Sequence, residues 1–457
     1  MSIKSNFKTE SKIISRRSFV KGAALSTAGF MIVPRHVLGG PNFTAPSDKL
    51  NIAGIGVGGQ GGANLKALDA ENIVALCDID FAYASKTAER YPNAKQYTDF
   101  RVMLEMQKDI DAVVIATPDH THAVISMAAI QAGKHVYCQK PLTHDIYESR
   151  ILAEEAKRSN VTTVMGIQGH SEEGIRLICE WIWDGAIGEV REVDAWCSLS
   201  YYPWGHEYWS TKWDDRPEDT PEKPEQIDWD LWIGPAPYRP YHPAYHPGVW
   251  RGWWDFGNGM MGDRGVHTLD PVFKALKLGY ASSAYASILG GNNEVHPLAS
   301  NVTFNFPARG KFPPLKLNWF EGLEPPRPSE LEAGRKLPEE GGMIFKGTEG
   351  VIVGGVYGES PRLIPESAMK AYRGTEKSLP RVECSHEDDW ARHCKAGTKP
   401  EACFEYSGPL TELALLGNIA KRFPRDVINW DGHNMEVTNL PEANEWVKRP
   451  YREGWHL

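Results

Sequence analysis

The chain has 457 residues and a formal net charge of −9, and 41% of it is hydrophobic and 24% charged. This is the composition of a folded globular protein long enough for two domains. Its acidic balance argues against nucleic acid or an anionic surface as partner. Seven cysteines are scattered without a Cys-x-x-Cys pair, which argues against a disulfide framework. Cys384, His386, His393, Cys394 and Cys403 lie close in sequence, but their spacing matches no zinc signature, and no metal is expected.

Taken in order, the chain first shows Ser15-Arg16-Arg17-Ser18-Phe19-Val20-Lys21, followed by an apolar, small-residue stretch over 22–33. A basic segment before a short apolar one reads as an export signal, and the paired arginines look like a twin-arginine signal. A periplasmic or otherwise exported location is the expectation. Pro34, Gly39-Gly40-Pro41 and Pro46 then read as linker, so residues 1–46 are assigned to signal and linker.

Residues 51–62 read Asn-Ile-Ala-Gly-Ile-Gly-Val-Gly-Gly-Gln-Gly-Gly. Gly56-x-Gly58-x-x-Gly61, enclosing Gly59 and Gln60, fits the dinucleotide fingerprint; Gly54-x-Gly56-x-x-Gly59 fits it in a second frame. The first frame is preferred because it leaves 50–55 as an uninterrupted strand. Glycine serves here for a tight turn, close approach to a pyrophosphate and close helix–strand packing. Asp78 ends a second apolar run and follows Gly56 by 22 residues. That is the spacing of a ribose-binding acid, which would repel a 2′-phosphate, so NAD rather than NADP is expected. Asp80 competes for the role but lies beyond the strand end.

Strand patterns at 50–55, 73–78, 112–116, 135–138 and 162–165 alternate with helical patterns at 63–69, 82–90, 102–106, 123–131 and 146–157. The alternation predicts an α/β domain with a doubly wound parallel sheet over 47–170. Ligands of such sheets sit at the carboxyl ends of strands. From 171 to 457 the pattern changes. Segments 190–200, 282–289, 301–306 and 316–320 predict an α+β domain with an open, mostly antiparallel sheet, interrupted by long loops at 201–255 and 322–342.

Two segments carry candidate chemistry. Thr117-Pro118-Asp119-His120-Thr121-His122 and Gln139-Lys140-Pro141 both begin at ends of predicted parallel strands. Lys140 at that edge could stabilise a developing alkoxide. The second segment runs from Trp253 to His267. Asp263 and His267 are four apart, so on a helix the aspartate would orient the imidazole and raise its basicity as it takes a proton. The stretch from Trp196 to Trp254 holds nine of the sixteen tryptophans. Most are expected to be core or interface. A few aromatic faces beside polar groups would suit a pyranose, and Trp254, Asp255 and His170 are the candidate substrate residues.

These motifs together resemble the glucose–fructose oxidoreductase, inositol dehydrogenase and MocA family of NAD(P) enzymes. The resemblance rests on Gly56 through Gly61, Asp78, Thr117-Pro118 with His122, Lys140-Pro141 and Asp263-x-x-x-His267, and it covers nearly everything after residue 46. It implies a Rossmann domain followed by an open-faced sheet domain. It maps the family's lysine onto Lys140 and its aspartate–histidine pair onto Asp263 and His267. The family's usual glutamate before the lysine is Gln139 here. The implied activity is NAD-dependent oxidation of a ring hydroxyl of a sugar or glycoside, for example at C3. The alternative is an NAD-dependent glycosidase that works by transient oxidation and elimination. A homo-oligomer is expected, and an exported enzyme is expected to keep its cofactor captive, because a twin-arginine route carries folded proteins.

Overall fold

A computed structural model describes residues 48–200 and 213–457. The export-signal reading at 15–33 and two of the insertion's tryptophans, Trp204 and Trp209, lie outside the described residues.

The first sheet has six parallel strands in the order β3-β2-β1-β4-β5-β6, with β1 Asn51–Ile55, β2 Asn72–Cys77, β3 Lys95–Tyr97, β4 Ala112–Ile115, β5 His135–Gln139 and β6 Thr163–Gly166. Strands buried on both faces read as continuous apolar runs, and β4, Ala-Val-Val-Ile, is buried throughout. The helices between them are α1 Gly59–Ala67, α2 Ser85–Arg90, α3 Phe100–Met106, α4 His122–Gln131 and α5 Ile146–Arg158. A capping box starts α5: Asp145 accepts from the Glu148 N–H, and Glu148 returns to the Asp145 N–H.

Two departures from the sequence reading have simple causes. Helix α1 starts at Gly59, not residue 63, because the glycines that disfavour helix alone are required here by packing. A Cβ on Gly61 would run into the Gly56 carbonyl oxygen. Strand β3, a polar edge strand of three residues, carries no apolar pattern to read.

The second sheet has nine strands in the order β13-β12-β11-β7-β10-β9-β8-β14-β15. Its strands are β7 Val190–Cys197, β8 Ser283–Leu289, β9 Ala299–Phe306, β10 Leu315–Glu321, β11 Gly341–Gly347, β12 Val351–Gly355, β13 Arg362–Ile364, β14 Val427–Asp431 and β15 Glu436–Val437. Only the β7–β10 pair is parallel. Helices α6 Glu173–Asp184, α7 Trp229–Ile233, α8 Val266–Ala275, α9 Glu366–Ala371, α10 His386–Ala396 and α11 Phe404–Arg422 complete the fold.

Helix α11 ties the two sheets together. It packs on α5, and Glu412 accepts from Arg150 at 2.8 Å with both side chains largely buried. It also packs on β8 and β9 of the second sheet. Residues Leu50–Leu457 accordingly form one unit. The insertion builds a small core of its own, in which Trp229 stacks on Trp232 with ring centroids 4.5 Å apart and Trp253 and Phe256 are fully buried.

Candidate active site

The carboxyl edge of the parallel sheet opens into a cavity of about 500 Å³ that runs from the glycine loop to Lys140 and His267. That is within the range of small-molecule sites. At one end β1 stops at Ile55, and Gly56 turns the chain with φ +75°. A side chain there would sit 2.7 Å from the Thr117 backbone nitrogen. Gly58 is packed against the Tyr83 ring, which leaves no space for a Cβ. It caps α1 without any side-chain bond, so the N–H groups of the first turn of α1 have no capping side chain.

Asp78 lines this end of the cavity. Its carboxylate also accepts from the N–H groups of Val57 at 2.7 Å, Gly58 at 3.3 Å and Asp80 at 3.0 Å. Burial pushes its pKa up against the pull of those three donors. It thus braces the loop as well as facing the cavity. Asp80 turns away to accept from Ala82 and Tyr83 N–H and to pair with His246 Nε2 at 3.1 Å. The glycine cradle, the uncapped helix start and a carboxylate at the second strand end together fit an adenine dinucleotide.

Thr117, Pro118, His122 and Gln139 also line the cavity. His122 joins two loops, with Nδ1 2.7 Å from the Pro141 carbonyl and Nε2 2.9 Å from the Thr117 carbonyl. Burial opposes its charge, yet Cys138 and the two carbonyls hold its pKa above the ordinary value. Gln139 donates to Asn64 Oδ1 at 2.9 Å, and Asn64 donates to Glu387 at 2.7 Å. The Gln139 amide thus sits within a satisfied buried network. Gln60 lines the cavity, whereas Gly61 lies beneath the loop and acts through packing alone.

At the far end a π-helical turn, Met261–Gly265, leads into α8 and presents Asp263, Arg264 and His267. Such turns recur at functional sites. The Asp263 carboxylate is paired with Lys140, whose ammonium also donates to the Asp263 carbonyl at 3.1 Å. His267 packs edge-on to Tyr357 at 4.8 Å, and its Nδ1 is buried without a hydrogen-bond partner. The expected gain in basicity from Asp263 is reversed. Burial and the Lys140 charge press the His267 pKa well below the usual value, and the pull of Asp263 only offsets part of this. The aspartate holds the lysine, and the imidazole stays neutral.

The three expected substrate residues, His170, Trp254 and Asp255, do not line the cavity. His170 is buried against Asp270, 2.9 Å from Nδ1, because α8 turns Asp270 away from the cavity and into the α6 side. Trp254 is sandwiched between His296 at 3.5 Å and the Arg422 guanidinium at 4.1 Å. Asp255 is held by Arg239 at 2.8 Å. Proximity in sequence to the motif did not translate into direction. The residues that do line this end are Asp119, Gln168, Trp250, Arg251, Arg264 and Tyr357. Asp119 and Arg264 sit inside the motifs already singled out, and Arg251 adjoins them. Tyr357 arrives from the turn after β12 and has no local signal.

The dinucleotide end has a cover. Trp232, His246, Pro247 and Gly248 of the insertion and Trp455 near the C-terminus line the same cavity as the glycine loop. The tail is held by Arg452, which pairs with Asp230 and donates to the Gly234 carbonyl at 3.0 Å. It is also held by Arg449, which donates to Glu148 at 3.1 Å and to the His120 carbonyl at 2.8 Å.

Residues 50–167 match the family model described as the oxidoreductase family, NAD-binding Rossmann fold, and residues 192–288 match that family's C-terminal alpha/beta domain. The chain belongs to the GFO/IDH/MocA oxidoreductase family. Residues 50–167 are an NAD-binding Rossmann domain. Among curated members of the family, the levoglucosan dehydrogenase of Pseudarthrobacter phenanthrenivorans is 32% identical over 27% of this chain and 31% of its own. A glycosyl hydrolase family 109 protein of Shewanella pealeana is 27% identical over 40% and 45%, and the myo-inositol 2-dehydrogenase of Thermotoga maritima 26% over 31% and 42%. The chain thus spans less than half the length of these relatives. A levoglucosan dehydrogenase solved with NADH and L-sorbose superposes with a TM-score of 0.57 at 18% identity, covering 83% of this chain and 98% of that one. At that identity the likeness speaks for the fold.

Proposed function

We propose that this protein oxidises a ring hydroxyl of a sugar or glycoside with NAD, with the C3 hydroxyl of a glycoside as the position first in line. The observation that carries the reading is one cavity with a dinucleotide cradle at one end and Lys140 and His267 at the other. Bound NAD supplies the hydride acceptor. Lys140, fixed by Asp263, presents a cation to the hydroxyl oxygen as negative charge develops on it. Neutral His267 can take the hydroxyl proton, since burial keeps the imidazole uncharged. Trp250 and Tyr357 offer flat faces to the ring. Lys140→Ala or His267→Ala should each lower the rate of cofactor reduction by about 100-fold or more while NAD still binds; unchanged turnover would sink the assignment.

A second reading has one observation in its favour, the likeness to a glycosyl hydrolase family 109 protein. It is a glycosidase that oxidises transiently, eliminates the aglycone and restores its cofactor. Aglycone release from an aryl glycoside without net change at the nicotinamide absorbance would favour it.

The cofactor is held captive in this proposal and recharged in place by a second substrate. Support comes from the cover of Trp232, His246 and Trp455 over the dinucleotide end, and from Arg16-Arg17, which would export the folded, loaded protein. Mass spectrometry of protein purified without added nucleotide should show bound NAD or NADH. Detection of the protein in the cytoplasmic rather than the periplasmic fraction would remove the export reading.

A further inference from the structure

Two unpartnered ring nitrogens stand close together in the cover of the dinucleotide end. Trp232 Nε1 and His246 Nδ1 are both buried, and neither has a hydrogen-bond partner among the described residues. Both residues line the cavity. Their rings meet edge-on, with centroids 5.9 Å apart. A buried polar atom without a partner is destabilising, and most such atoms in folded proteins are paired. Two neighbouring exceptions in one cavity lining mark a place where a ligand supplies the missing partners.

The two atoms are of opposite kind. An indole N–H can only donate. His246 Nε2 lies 3.1 Å from a carboxylate oxygen of Asp80, so Nε2 carries the hydrogen and donates it. In that tautomer Nδ1 is left as an acceptor. Asp80 is itself fixed, because its other oxygen accepts from the N–H groups of Ala82 and Tyr83 at 3.1 Å.

Position narrows the ligand. Strand β1, which ends at the glycine loop, lies between β2 and β4. His246 is fastened to the loop after β2 through Asp80. Trp232 is fastened to the loop after β4: its carbonyl lies 2.8 Å from His120 Nε2, and its ring 5.3 Å from the His120 ring. The pair therefore bridges the two loops that flank the glycine turn. In a fold of this kind the pyrophosphate belongs to the turn and a ribose to the acid at the end of β2. The part of a dinucleotide left for Trp232 and His246 is the base. Adenine carries an acceptor ring nitrogen beside a donor amine, the complement of an indole N–H beside a bare imidazole nitrogen.

We propose that Trp232 and His246 read the adenine base of the cofactor. Trp232 Nε1–H donates to a ring nitrogen, and His246 Nδ1 accepts from the exocyclic amine. The inference rests on the NAD-binding Rossmann domain and not on which hydroxyl is oxidised. The insertion then selects the base as well as covering the nucleotide.

The test uses full-length protein loaded with NADH and follows nicotinamide fluorescence as a competitor displaces the bound nucleotide at equilibrium. The competitors are NAD and its hypoxanthine analogue, in which a carbonyl replaces the adenine amine and the riboses, pyrophosphate and nicotinamide are unchanged. The analogue should require a concentration about tenfold or more higher than NAD. This comparison is made on the wild type and needs no variant. His246→Leu should bring the two competitors within about threefold of each other, a ratio that does not depend on how tightly the variant binds overall. Trp232→Phe keeps a ring for packing and removes the N–H, and should raise the dissociation constant of NADH by about fivefold or more. Equal displacement by the two nucleotides in the wild type overturns the proposal, as does a His246→Leu variant that keeps the full preference. Unchanged NADH affinity in Trp232→Phe overturns the role given to the indole.

Discussion

Asp119 shows how one buried carboxyl couples the site to pH. Its folded pKa is raised to about 7 by burial, whereas an unfolded aspartate ionises near about 3.9. Between these values the folded state keeps a proton that the unfolded state has lost. The stability this contributes is complete below about pH 4 and is lost as pH rises toward 7. Asp119→Asn keeps an acceptor for Asn258 and removes the titration. Relative to wild type, the variant should gain on the order of 2–4 kcal/mol between pH 4 and 8, measured by denaturant unfolding at both ends. A constant difference across that range would refute the account. His267 makes a second prediction. Because its pKa is pressed well below the ordinary value, the pH profile of kcat/KM should show no histidine limb near pH 6.5.

Among the elements, the π-helical turn and the cover decide most. The sequence reading placed Asp263 and His267 on one helical face, and both do reach the cavity. Their relation differed because Lys140, 123 residues earlier in the chain, takes the Asp263 carboxylate. The cover is made by the insertion and the C-terminal tail together, with Arg449 and Arg452 as its fastenings. Arg452→Ala together with Trp455→Ala should raise the dissociation rate of bound NADH by about tenfold or more, followed by loss of its nicotinamide fluorescence after dilution. The same double change should leave the parallel sheet folded, since Trp455 meets α3, on Phe100 at 6.3 Å and under Arg101 at 4.8 Å, and not a strand.

For the molecule as a whole, the nine-stranded sheet leaves apolar side chains in water. Tyr285 of β8 and Val427 of β14 are cross-strand partners, 37% and 48% exposed, and Leu289 farther along β8 is 62% exposed. A patch of this kind suits association with a second copy. Light scattering at micromolar protein should therefore show an oligomer, and Leu289→Glu with Val427→Glu should shift it to monomer; a monomeric wild type would dismiss the patch. The fold itself was largely readable. Every parallel strand but β3 was placed within a residue or two, because strands buried on both faces write their apolar run directly into the chain. Strands β11 to β15 were not in the sequence reading. They are short or glycine-rich, and their places in the sheet are set by two long-range pairings, β11 with β7 and β14 with β8.

The sequence by itself determined the glycine loop, the acid at the end of the second strand, the alternation that makes the parallel sheet, and the identity of Lys140, Asp263 and His267 as a group. These are local facts: turn geometry, strand burial and a motif at a strand end need only neighbouring residues. The tertiary structure decided who partners whom. It gave Asp263 to Lys140, left His267 neutral, turned His170, Trp254 and Asp255 away from the cavity, and brought Tyr357 and Trp455 to it. Those outcomes depend on charges and surfaces that meet only after the chain has folded, and on burial, which no short stretch of sequence records.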